Sequence, residues 1–143
     1  MLQTAIVAID DDWSRIEPVI ESAVDILEPA DVDPMLLHVI PKSEFKGYLD
    51  KVNSDSSDPD EVAGRHNVVQ QAADRFHEAG LEPQIRGAVG EPSKEIIDCV
   101  KTENIDHVFM GGRQRSAAGK VMLGSVSQKV LQGVDVPCTI TMG

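Results

Sequence analysis

Thr4-Ala5-Ile6-Val7-Ala8-Ile9-Asp10 is an uninterrupted β-branched and apolar run closed by a carboxylate. A run that does not alternate polar with apolar reads as a strand buried on both faces, the situation of a parallel sheet. The pattern then changes period. Trp13, Ile16, Ile20, Ala23, Val24 and Leu27 recur at helical spacing, with Ser14 and Glu17 spaced as a capping box and Pro18 in or just past the first turn. Met35 to Ile40 repeats the buried-strand pattern, and Pro41 to Ser57 is polar and aperiodic, the longest expected loop. Asp58-Pro59-Asp60-Glu61 combines a capping aspartate with proline at the first helical position. The helix it opens is expected to run to Ala79 and stop at Gly80.

The same alternation continues to the end of the chain. Pro83 to Val89 reads as a third strand, and Gly90-Glu91-Pro92 turns into a helix marked by Ile96, Ile97 and Val100. His107 to Met110 is a fourth strand, Ser125 to Leu131 a helix and Val136 to Met142 a last strand. Strands that alternate with helices predict an α/β fold, a parallel sheet covered by helices on both faces through right-handed crossovers. Ligands in such sheets sit at the carboxyl ends of the strands, where the strand order reverses. Asp10 and the segment after Met110 both lie at such ends. The sequence pattern alone leaves the strand order open.

Composition narrows the class of function. A chain of 143 residues fits one domain, expected to span 1–143. Aromatics are only 3% of residues, so the core must be aliphatic. Acidic residues outnumber basic ones 24 to 13, for a net charge of −11, which would repel a nucleic-acid backbone. The apolar runs are too short to span a bilayer, and Met1-Leu2-Gln3-Thr4 lacks a basic region followed by a long apolar segment, so a cytoplasmic location is expected. Cys99 and Cys138 lack the spacing of a metal pair or a redox motif and read as buried thiols. His38, His66, His77 and His107 lack ligand spacing, and no metal site is expected from them.

Met110-Gly111-Gly112-Arg113-Gln114-Arg115-Ser116-Ala117-Ala118-Gly119-Lys120-Val121-Met122-Leu123-Gly124-Ser125-Val126 carries the chemistry. Glycines let backbone approach a ligand closely, and the first N–H groups of a helix lack internal partners and carry the positive end of its dipole. Together they outline an anion site, to which Arg113, Arg115 and Lys120 add charge and Ser125 a hydroxyl.

These segments resemble the universal stress protein family over nearly the whole chain. The resemblance rests on Ile6-Val7-Ala8-Ile9-Asp10, Leu36-Leu37-His38-Val39-Ile40, Gly90-Glu91-Pro92 with Glu95-Ile96, Val108-Phe109-Met110-Gly111, and Gly124-Ser125-Val126-Ser127 leading to Val136-Pro137-Cys138. It implies a Rossmann-like, adenine nucleotide alpha hydrolase-like sheet of five parallel strands in the order 3-2-1-4-5. It also implies a homodimer paired through the last strand, where Thr139-Ile140-Thr141-Met142 alternates as an edge strand does.

The family's nucleotide-binding members carry Gly-x-x-Gly, nine residues, then Gly followed by Ser or Thr. Here Gly111 matches the first glycine, Arg115 to Leu123 are the nine residues, and Gly124-Ser125 closes the motif, whereas Gln114 stands in place of the second glycine. Gly112, Gly119, Arg115 and Lys120 are candidates to compensate for it. By position, the resemblance implies that Asp10 holds the adenosine beside the backbone of Ala8 and Ile9. Val39 would contact the adenine, Met110 and Gly111 would form the floor, and Gly124, Ser125 and Val126 would hold phosphates. The implied ligand is ATP. Asp11 and Asp12, where the family has small residues, would repel phosphates or recruit Mg²⁺, and repulsion is the reading adopted.

Three functions fit this reading. The first is an ATP-dependent, dimeric stress-response switch acting on a protein partner. The second, kept open by Gln114, is a dimerising interaction module without nucleotide. The third is slow ATP hydrolysis, for which the chain offers no Gly-Lys-Ser/Thr phosphate loop; no catalytic residue is assigned.

Overall fold

The computed structural model describes residues 2–52, 58–115 and 121–142. In chain order the elements are β1 (Ala5–Ile9), α1 (Trp13–Ala30), β2 (Pro34–Ile40), α2 (Lys42–Val52), α3 (Pro59–Gly64), α4 (Asn67–Glu78), β3 (Gln84–Val89), α5 (Pro92–Thr102), β4 (His107–Gly111), β5 (Arg113–Arg115), β6 (Val121–Leu123), α6 (Ser125–Gly133) and β7 (Cys138–Thr141). Five strands form one sheet in the order β3-β2-β1-β4-β7, and every pairing within it is parallel. With β7 as the fifth strand of this sheet, the order is the 3-2-1-4-5 that the resemblance implies.

The period of two within each strand sorts side chains between two cores. Ala5, Val7 and Ile9 of β1, with Leu36 and Phe109, pack under α1 and α4 against Ile20, Leu27, Val69 and Phe76. Ile6, with Met35, Leu37, Val108 and Met110, packs under α5 and α6 against Ile96, Val100 and Val130. Both faces of the central strands are therefore dry, which is why these strands read as unbroken apolar runs.

Four local expectations are corrected. Asp12, not Ser14, caps α1: its carboxylate accepts the Ser14 N–H at 3.0 Å and the Ser14 hydroxyl at 2.7 Å, while Glu17 accepts the Trp13 indole N–H at 3.1 Å. The first part of the segment expected as a loop, Lys42–Val52, is helical; Phe45, Tyr48 and Leu49 recur at helical spacing and are its half-buried positions, while Lys42, Ser43, Glu44, Lys46, Gly47, Asp50 and Lys51 are exposed. The helix opened by Asp58 and Pro59 is two helices, because the chain breaks at Arg65 and His66 and restarts with the His66 ring as the cap of α4. Finally, the glycine-rich segment contains an antiparallel hairpin, with Arg113 opposite Leu123, Gln114 opposite Met122 and Arg115 opposite Val121.

The stop at Gly80 is as expected. Gly80 takes φ +81°, donates its N–H to the His77 carbonyl at 2.9 Å and so ends α4.

Candidate functional site

The strand order makes β1 and β4 neighbours, while the chain leaves β1 toward β2 on one side and leaves β4 toward β7 on the other. A crevice must open where the connections diverge. A cleft of about 830 Å³ lies there, within the size range of small-molecule sites. Ala8, Ile9, Asp10, Val39, Met110, Gly111, Gly124, Ser125 and Val126 all line it. The structure thus gathers nine of the eleven candidate residues around one space. The other two, Gln114 and Arg115, are placed by their backbone on β5, and their side chains lie outside what the structure describes, as do Gly119 and Lys120 entirely.

One wall of the cleft is apolar: Ala8, Leu37, Val39 and Met110 come from the α5 face of the sheet, and Pro92 and Ile96 from α5 itself. A flat aromatic ligand fits such a slot because it buries apolar area without orphaning polar groups.

Another part of the lining is acidic, with Asp10 and Asp11. Asp10 accepts the Asp12 N–H at 2.9 Å through Oδ1 and the Arg15 Nε–H at 3.2 Å through Oδ2. Arg15 also lies 3.6 Å from Asp11 and 3.9 Å from Asp12. One guanidinium therefore serves three carboxylates, and the cluster keeps a net negative charge. The Ser14 hydroxyl and backbone hold Asp12 below the usual carboxylate range. An ionised carboxylate has about four acceptor positions, so Asp10 retains capacity for a ligand hydroxyl or amine. Asp11 and Asp12 thus have structural partners, which softens the expected repulsion without reversing it.

The start of α6 offers backbone donors that an anion could satisfy. Gly124 caps α6 without a side-chain hydrogen bond, and the first intrahelical bond is Gln128 N–H to the Gly124 carbonyl at 3.0 Å. The N–H groups of Ser125, Val126 and Ser127 therefore precede the helical ladder. Gly124 itself is anchored by donating its N–H to the Gly112 carbonyl at 2.8 Å, and the Ser127 hydroxyl donates to the Gly111 carbonyl at 2.7 Å. These bonds fix the start of α6 to the end of β4. Gly112 is a packing glycine, since a Cβ there would collide with Ile140 and Leu123.

Sequence reasoning missed several lining groups. His38, on β2, donates from Nδ1 to the Ile9 carbonyl at 2.9 Å, and the His66 ring packs against it, tilted by 41° with ring centroids 4.4 Å apart. Glu44 reaches the rim from α2. A search for ligand spacing passes over two histidines 28 residues apart; the signal that could have found His66 was its place just before an apolar helical repeat, where capping residues sit. Among the described residues no group of three or more His, Cys, Asp or Glu side chains could hold a metal ion, and no helix is long and apolar enough to cross a membrane.

Burial lowers the pKa of His66 and of His107, which hydrogen-bonds Thr139 at 2.8 Å. Such groups stay neutral in the fold at a pH where the unfolded chain has already bound a proton, so acid favours unfolding. Their contribution is complete above about pH 6.5 and is lost as pH falls through that value toward the folded pKa. The thermal midpoint is expected to drop between pH 7.5 and pH 5, and a flat midpoint across that interval would contradict this account.

The model of the universal stress protein family matches residues 1–141. The universal stress protein YxiE of Bacillus subtilis is 33% identical over 73 residues, 51% of this chain and 49% of that protein, so the alignment spans about half of that relative. Among solved structures, a universal stress protein from Archaeoglobus fulgidus superposes with a TM-score of 0.75 at 21% identity, covering 98% of each chain. A universal stress protein in complex with cAMP superposes at 0.71 and 20% identity, covering 99% of this chain and 97% of that one. A universal stress protein from Archaeoglobus fulgidus in complex with dAMP gives 0.68 at 18% identity, covering 96% of each chain. The structural likenesses carry the fold, and the family match extends it over 141 of the 143 residues: the chain belongs to the universal stress protein family.

Proposed function

We propose that the cleft binds an adenine nucleotide, ATP among them, and that occupancy makes the protein a ligand-dependent switch rather than an enzyme with rapid turnover. The observation that carries this reading is the assembly of the cleft itself. An apolar slot, a carboxylate with spare acceptor capacity and an uncapped helix start share one space, matching base, ribose and phosphate in turn. Solved relatives of the same fold are described with cAMP and dAMP bound, which supports the ligand class.

In this reading the base lies against Val39, Met110 and Ala8, Asp10 accepts from the nucleoside, and Gly124, Ser125 and Val126 receive phosphate oxygens. Gln114 and Arg115, on the hairpin that follows Gly111, would flank the ribose and phosphates. The acidic rim opposes a highly charged phosphate chain, so Mg²⁺ carried in with ATP would aid binding by neutralising it.

Two measurements test the proposal. The protein, purified without added nucleotide and then denatured, is expected to release ATP, ADP or AMP into the supernatant. In titration calorimetry, Asp10→Ala should weaken adenosine and ATP alike, each by about tenfold, the worth of one hydrogen bond to a charged acceptor. Loss of ATP binding with adenosine unaffected would assign Asp10 elsewhere. Folded wild-type protein that ignores millimolar ATP would favour the interaction-module reading.

A further inference from the structure

The two imidazoles on the cleft wall are each tied to the backbone by one hydrogen bond. His66 Nδ1 accepts the Val68 N–H at 3.2 Å and thereby caps α4. A ring nitrogen that accepts carries no proton, so in the neutral ring the proton is on Nε2. On the neighbouring ring the assignment is reversed: the Ile9 carbonyl can only accept, so His38 carries its proton on Nδ1. The tilted contact between the rings, centroids 4.4 Å apart, then links the first turn of α4 to the last residue of β1, immediately before Asp10. Both rings line the cleft. Among the described residues, no hydrogen bond engages His66 Nε2.

We propose that His66 is a nucleoside-binding residue of this cleft, its Nε2–H offered to an acceptor on the ribose or base while Nδ1 holds the ring in place as the cap of α4. The inference rests on the nucleotide reading above and adds a determinant that no glycine motif supplies. It also makes binding depend on the charge of the ring. Protonation puts a hydrogen on Nδ1, which then faces the Val68 N–H instead of accepting it, and sets a positive charge at a helix N-terminus, where the dipole opposes it. The donor survives protonation but its placement does not.

The groups facing His66 come from several elements: His38 on β2, Asp10 and Asp11 beyond β1, and Glu44 on α2. Burial and the neighbouring His38 disfavour the cation, the three carboxylates favour it, and the former prevail, so the ring is held below its ordinary value. At neutral pH the ring is therefore the neutral, capping form.

His66→Asn separates the roles. Asparagine caps a helix through its side-chain oxygen and still carries an N–H donor, but it does not titrate. Calorimetric titration with ATP at pH 8 and pH 5 should show wild-type affinity falling about tenfold, while His66→Asn falls by no more than about threefold. The phosphate titration of ATP is common to both proteins and cancels in the comparison. His66→Ala should bind about fivefold more weakly at pH 8. By linkage, the imidazole proton resonances of wild-type His66 should titrate at lower pH with ATP bound than without it. An equal acid loss in wild type and His66→Asn, or a His66 titration unmoved by ATP, would overturn the assignment while leaving the nucleotide reading intact. Absence of wild-type binding at pH 8 would instead remove the nucleotide reading itself.

Discussion

Gly124→Val is expected to leave a folded protein whose affinity for ATP is reduced about a hundredfold. Gly124 does not need a glycine for its conformation, since its φ is −68°, nor for packing, since a Cβ there would meet only the Gly112 carbonyl oxygen, at 3.9 Å. The fold therefore loses little beyond a less favourable cap, about 1 kcal/mol. A ligand loses much more. The isopropyl group would stand over the N–H groups of Ser125 and Val126, the donors that precede the helical ladder, and valine is stiff at χ1 and cannot swing clear. Two hydrogen bonds to a charged phosphate, at about 1.5 kcal/mol or more each, amount to roughly a hundredfold in affinity. Adenosine, which has no phosphate, should bind the variant almost as it binds the wild type. Calorimetry with both ligands makes the distinction, and unchanged ATP affinity would show that phosphates do not approach the start of α6.

The contrast with Gly112 shows how much of this site was legible beforehand. Both glycines sit in the same segment and both suggest close ligand approach, yet only the structure separates them: Gly112 makes room for Ile140 and Leu123, Gly124 for solvent or a ligand. The strands and their buried faces were legible because a parallel sheet demands unbroken apolar runs, and Ile6, Val7, Leu36, Val108 and Phe109 are indeed wholly buried. The strand order was not, because pairing is set by which connections pack, and periodicity is silent on that; the family resemblance supplied it. Helix α2 was hidden since its apolar stripe is only Phe45, Tyr48 and Leu49, set among charged residues and Gly47, and the break before α4 was hidden since a histidine ring is an uncommon cap. The partner of the acidic cluster was not foreseen, because Arg15, five residues beyond Asp10, meets the three carboxylates only once α1 has turned.

The protein is expected to be a homodimer in solution, joined along β7, and Ile140→Pro is expected to make it a folded monomer. In the main sheet β7 pairs with β4 and with no other described strand. The Val108 N–H donates to the Pro137 carbonyl at 3.0 Å and the Gly112 N–H to the Thr141 carbonyl at 3.2 Å, so residues 137 and 141 turn their backbone groups toward β4. Successive residues of a strand point their N–H and C=O alternately to either side. Cys138 and Ile140 therefore present theirs outward, where antiparallel pairing with a second copy across a two-fold axis would satisfy both chains at once. Association costs several kcal/mol in lost freedom, more than a few such hydrogen bonds return, so apolar cover is needed as well; Met142, 41% exposed at the end of this edge, offers some. Proline at 140 removes an outward donor and sets a ring against the partner strand, while every bond from β7 to β4 is spared. Proline at 141 should behave differently, because it removes an inward donor and would loosen β7 from its own sheet. Light scattering should report a dimer for the parent and a monomer for Ile140→Pro, with thermal unfolding still cooperative. A monomeric parent, or a dimer undisturbed by Ile140→Pro, would place the interface elsewhere or nowhere.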